Sequence, residues 1–117
     1  MITIDQARAI ALSLPEAEEG QHMDHPDFRV RKKIFMTLWP SEDRAVVFVD
    51  PVHVESIQAN DPKQFSLNGW SKKYGALDVH LNHVGRKQFE DLVIRSWERK
   101  APKSLMTKHS KSEQKRT

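Results

Sequence analysis

At 117 residues with no cysteine, the chain fits one compact domain burying roughly 65% of its unfolded surface, and it excludes disulfides, thiolate metal sites and a cysteine nucleophile. Its net charge of +3 is unevenly placed: residues 1–100 hold 14 Lys and Arg against 15 Asp and Glu, whereas the last 17 hold five against one. The basicity therefore belongs to the tail, and any anion-binding role for the rest has to come from local clusters.

The first stretch, MITIDQARAIALSLPEAEE, is broken by Asp5 and Arg8 and has no uninterrupted apolar run, so the expectation is a soluble, cytoplasmic protein. Thr3 reads as an N-cap with Gln6 three residues on. Ile4, Ala7, Ile10, Ala11 and Leu14 share one helical face, and Pro15 ends the helix. The next segment carries Glu16, Glu18, Glu19, Asp24 and Asp27 with Gly20 and Pro26, which suits an edge strand and a turn. From Phe28 the pattern alternates. Phe28 and Val30 point one way and Arg29 and Arg31 the other, then Lys32-Lys33 leads into IFMTLW, a hairpin without the favoured Asn-Gly turn.

RAVVFVD, 44–50, is rich in β-branched residues and reads as a central strand reached through a polar turn. Asp50-Pro51 predicts an N-cap and first helical position for a short helix to about Ala59, with Val54 and Ile57 inward, before Asn60-Asp61-Pro62 stops it. Two further short strands follow around a loop holding Gly69, Trp70, Lys72, Lys73 and Gly75, with Leu77, Val79 and Leu81 alternating in the second. The last helix, Gly85 to Lys100, buries Phe89, Leu92, Val93 and Trp97 and stops before Pro102. Residues 1–105 form the expected domain, and 106–117 read as a basic disordered tail. The order α-β-β-β-β-α-β-β-α predicts an α+β two-layer sandwich, a twisted antiparallel sheet with its helices largely on one face.

No Gly-x-Ser-x-Gly elbow and no phosphate-cradling glycine loop is present, so the expectation is a protein without catalytic residues and without a cofactor. His22 with His25 and His80 with His83 have a three-residue step, which puts two rings on one face only in a helix. Both pairs fall in extended chain, so no metal is assigned to them, and the irregular acidic run is left unassigned. What remains is basic. Arg29, Arg31, Lys32 and Lys33 converge within about 10 Å at one hairpin tip. A second loop, NGWSKKYG, sets Lys72 and Lys73 beside Trp70 and Tyr74, aromatics able to stack on a base.

Several stretches in order resemble the MmcQ/YjbR family of small bacterial proteins: ALSLPEAEE, HPDFRVRKKIF, DPKQF followed by GW, DVHL and WERKAPK. The most specific are the helix exit from Leu14 to Glu19 and the strand pair from Phe28 to Phe35. The resemblance spans nearly residues 1–105 and implies a frataxin-like, CyaY-like α+β fold and a DNA-binding role through a double-wing surface. Carried onto this chain, one wing is the hairpin with Arg29, Arg31, Lys32 and Lys33, and the other is the loop with Trp70, Lys72 and Lys73. Many members have a Trp-Asn-Lys-Lys-His-Trp-like second wing, whereas this chain reads WSKKYGALDV and lacks the second Trp. Frataxins are associated with iron through an acidic first helix; here that helix has Asp5 as its sole carboxylate, so the iron role does not carry over. The resulting expectation is a monomer that binds DNA with low sequence specificity, with no metal and no membrane. The alternative is a protein- or small-ligand-binding module of unknown partner, working through the sheet's open face or a cleft beside Trp39 and Trp70.

Overall fold

In this computed structural model, which describes residues 1–22 and 25–105, a capping box opens the first helix, α1 (Ile4–Leu12). Gln6 N–H donates to Thr3 Oγ1 and Thr3 N–H to Gln6 Oε1, at 3.1 and 2.9 Å. Ala7, Ile10 and Ala11 turn inward as their spacing predicts. Asp24, the side chain of His22 and the tail from Met106 lie outside the described residues.

Strands β1 (Ala17–His22), β2 (His25–Val30), β3 (Lys33–Trp39) and β4 (Arg44–Phe48) form a meander, with a short 3-10 turn at Pro40–Glu42 between the last two. Helix α2 (Val54–Asn60), strand β5 (Phe65–Ser66), the one-turn helix α3 (Ser71–Tyr74), strand β6 (Ala76–His80) and helix α4 (Arg86–Lys100) complete the chain. The sheet has the order β1-β2-β3-β4-β6-β5 with every neighbouring pair antiparallel. Because β6 is antiparallel to both its neighbours, β4 and β5 are parallel, with α2 in the connection and β6 inserted between them.

One face of the sheet is covered. Phe28, Val30, Met36, Leu38, Val47, Leu77 and Val79 meet Ala7, Ile10, Val54, Phe89, Leu92 and Val93 in one core, so the α+β fold with helices on one face is observed. A bulge opposite Phe28 and Arg29 leaves Phe35 without a partner, which is why Phe35 and Met36 are consecutive and both buried. Trp97 is fully buried because its indole N–H reaches Pro15 O at 3.0 Å, so its polar edge is satisfied inside the core. Ser96 does similar work between strands. At the end of the β3–β4 ladder its hydroxyl donates to Phe35 O at 2.5 Å and accepts from Phe48 N–H at 2.8 Å, bridging two strands that no longer bond each other.

Two details depart from the sequence reading. Helix α2 starts at Val54, because Asp50 closes a turn of its own: its carboxylate accepts from Val52 N–H and its carbonyl from His53 N–H. The segment read as a loop before β6 is helix α3, ended by Gly75 at φ 73°.

Candidate functional site

The hairpin between β2 and β3 closes through only two residues, Arg31 and Lys32, with Val30 paired to Lys33. Their φ values of 49° and 71° give the primed turn that matches strand twist, although neither is Gly or Asn. Phe28 and Val30 face the core as their alternation predicts, and Arg29 projects from the opposite face. The four basic groups then divide. Arg29 forms a fork on the buried Asp27 carboxylate at 2.9 and 3.0 Å, and Arg31 forms one on Glu16 at 2.6 and 2.9 Å. Hydrogen bonding to these carboxylates, and then their charge, holds both guanidinium pKa values above the ordinary arginine value. Lys32 and Lys33 are exposed and, among the described residues, form no ion pair.

On the other basic segment, Asn68 sets the geometry. Its side-chain amide donates to Asp78 Oδ1 at 2.7 Å, its side-chain oxygen accepts from Trp70 N–H at 2.7 Å, and its own N–H donates to Ser71 Oγ at 2.8 Å. The turn before α3 is thereby tied to β6. At the other end Val49 N–H donates to Gly75 O at 2.9 Å, and a Cβ on Gly75 would sit 1.7 Å from Val49 O, so only glycine allows α3 to dock on the end of β4. So held, α3 exposes Lys72 and Lys73, and Trp70 and Tyr74 remain 64% and 44% exposed, rings in tilted contact at 5.8 Å. The Lys73 ammonium lies 5.3 Å from the Tyr74 ring centroid.

Strand directions bring the two segments together. The start of β3, the end of β4 and the start of β6 share one end of the sheet, so the strands that Lys32-Lys33 and α3 adjoin lie two strand spacings, about 10 Å, apart. The C-terminus of α4 reaches the same end: the Lys100 ammonium lies 4.7 Å from the Phe48 ring centroid. Burial first, then the charges of Arg99 and Lys33, push the Lys100 pKa down. Sequence reasoning missed Lys100 and Arg99, because only the docking of α4 carries them there.

Beside this cationic end, on the face without helices, lies a cleft of about 440 Å³ lined by Trp39, Arg44, Val46, Phe48, Trp70 and Tyr74 among others. Trp39 and Trp70 therefore share one site and differ within it. The Trp39 ring is stacked on His25 at 3.8 Å, carries the Arg44 guanidinium at 4.7 Å and donates its N–H to Thr37 Oγ1, so it forms a fixed wall. Arg44 is in turn paired with Glu42 at 3.0 Å and Asp78 at 3.4 Å. His80 meets Ser66 Oγ at 2.6 Å, and among the described residues no three metal-ligating side chains converge. No described helix is long and apolar enough to cross a membrane.

Two solved structures share this fold. The Deinococcus radiodurans protein DR2400, with its DUF419 domain, superposes with a TM-score of 0.72 at 22% identity over 83% of this chain and 77% of that one. A Pseudomonas syringae protein, structural genomics target PsR293, gives 0.67 at 18% identity over 85% and 99% of the two chains. No curated protein matches the sequence. The family model for YjbR runs over residues 12–99, from the end of α1 to the penultimate residue of α4, and thus takes in the whole sheet, both basic segments and the cleft between them: the chain belongs to the YjbR family.

Proposed function

We propose that this chain is a cytoplasmic, non-enzymatic DNA-binding protein whose contact surface is the cationic end of the sheet. The observation that supports the reading is that Lys32, Lys33, Lys72, Lys73 and Lys100 belong to element ends on that side of the sheet, with no ion pair among the described residues, next to the exposed Trp70 and Tyr74. Burial first, and then the charges of Arg99 and Lys33, disfavour the Lys100 ammonium there, and a polyphosphate backbone offers that charge a partner. Arg29 and Arg31 contribute less attraction than the lysines, because each is already neutralised by a carboxylate. Contact through lysines to phosphates carries no sequence information, which supports low sequence specificity.

The test is fluorescence anisotropy of labelled DNA, duplex and single strand, across a salt series. With four to six phosphates contacted, log affinity for duplex falls against log salt with a slope of about −4 to −5. Substituting Ala for Lys32, Lys33, Lys72 and Lys73 together should flatten that slope by about 3 or more. Absence of binding to either form, or a quadruple variant that binds like the parent, refutes the proposal. A chain ending at Leu105 separates the surface from the basic tail: loss of all binding on truncation assigns it to the tail.

A further inference from the structure

Lysines at a sheet end grip a duplex and a single strand alike; the cleft beside them does not. A duplex presents its sugar-phosphate ridges to such a surface and keeps its ring faces inside the stack. Trp70, 64% exposed, offers an aromatic face that only an unstacked ring can cover. Tyr74 braces it through a tilted contact, while Trp39, occupied by His25 and Arg44, closes another part of the lining. Resting on the DNA reading above, we infer that this cleft receives an unstacked base, so that the ligand of this protein is single-stranded nucleic acid.

The polar groups around the cleft fix what kind of recognition is available. Arg44 is engaged by Glu42 and Asp78, Asn68 by Asp78 and the Trp70 backbone, and the Trp39 N–H by Thr37. These groups shape the lining and hold its rings, and the base meets chiefly aromatic and apolar surface: Val46, Phe48 and Ala76 contribute the rest. A site of this kind accepts any base by its face, and the adjacent Lys72 and Lys73 take the phosphates on either side. Asn68 is a positioning residue: it holds the turn that presents Trp70 and touches no base itself.

Gly69 supplies a clean perturbation. It lines the cleft, and a Cβ built there meets no atom within 4 Å, so a larger side chain can be added at the lining without displacing the fold. The experiment uses the full chain, a labelled single strand of mixed sequence and the duplex made from it, with anisotropy for affinity and intrinsic tryptophan emission for stacking. The single strand should bind about tenfold or more tightly than the duplex and quench the emission. Gly69→Leu and Trp70→Ala should each lower single-strand affinity about tenfold; Gly69→Leu should leave duplex affinity unchanged, and Trp70→Ala should remove most of the quenching. Equal binding of both forms, insensitive to Gly69→Leu and Trp70→Ala but still lost with the lysines, overturns the base site and leaves the DNA reading standing. Binding of neither form overturns both. Binding of a free nucleoside with none of a strand also overturns the inference.

Discussion

Replacing Ser96 by Ala removes one oxygen atom, and the two backbone groups it serves have no substitute nearby. Phe48 N–H loses its acceptor and Phe35 O its donor, at a point where β3 and β4 have stopped bonding each other. The alanine methyl fits the same space, so no cavity term is added, and the cost is that of two stranded polar groups, about 2–3 kcal/mol. For a domain of this length that corresponds to a fall of roughly 10 °C in Tm. Urea denaturation followed by emission of the buried Trp97 and by far-ultraviolet circular dichroism measures it, with an unchanged m-value expected because the same surface is exposed on unfolding. A loss below about 0.5 kcal/mol refutes the reasoning, since it would place Ser96 among ordinary surface substitutions.

Glu16→Gln releases Arg31 from its carboxylate, and if the hairpin tip lies on DNA the salt dependence for duplex should steepen by about 0.9; an unchanged slope would place Arg31 away from the ligand. Lys100 gives up its proton in the folded chain below the 10.5 at which it titrates unfolded, so in that window the unfolded state binds more protons and the contribution of this group to stability rises with pH. Denaturant midpoints measured across the alkaline range should show that rise in the parent and lose it in Lys100→Met. A chain ending at Leu105 should be as stable as the full chain, whereas one ending at Lys100 should lose about 2 kcal/mol in urea, because Leu105 is 5% exposed and Ala101 also packs on the core.

The fold was legible wherever burial imposes a period. The capping box at Thr3, the alternation from Phe28 to Val30, the β-branched run at β4 and the apolar face of α4 all follow from one side of each element meeting the same core. Two local readings failed because short-range chemistry competes with pattern. Asp50-Pro51 resembles a helix start, and the Asp50 carboxylate instead satisfies Val52 N–H in a tight turn. Helix α3 has a single turn, too short for periodicity, although Gly75 placed directly after SKKY is a recognisable stop. The site was harder to read. Residue types identified both basic segments, and Asp27 lies two residues before Arg29 on the same strand, but the partner of Arg31 depends on which residue the β1–β2 pairing and the turn bring alongside, and Glu16 is 15 positions away. Exposure of Trp70 against partial enclosure of Trp39 likewise depends on His25 and Arg44 closing over one ring and leaving the other open.

Strand β1 gives the molecule a sense of direction. It is the outer edge of the sheet, its first residues lie next to the hairpin tip, and Glu16, Glu18 and Glu19 all sit there, exposed. Lys32 and Lys33 therefore have on one flank an edge whose Glu16 and Glu19 are already held by Arg31 and Arg8, and Lys100, Lys72 and Lys73 on the other. A phosphate chain that touches the tip finds no unpaired cation toward β1 among the described residues and is drawn toward α3, so its path runs across the strand ends in one lane. The same edge opposes a second sheet: two copies approaching edge to edge through β1 would have to bury charged side chains and the ion pairs of Glu16 and Glu19, which protects this open edge from strand addition.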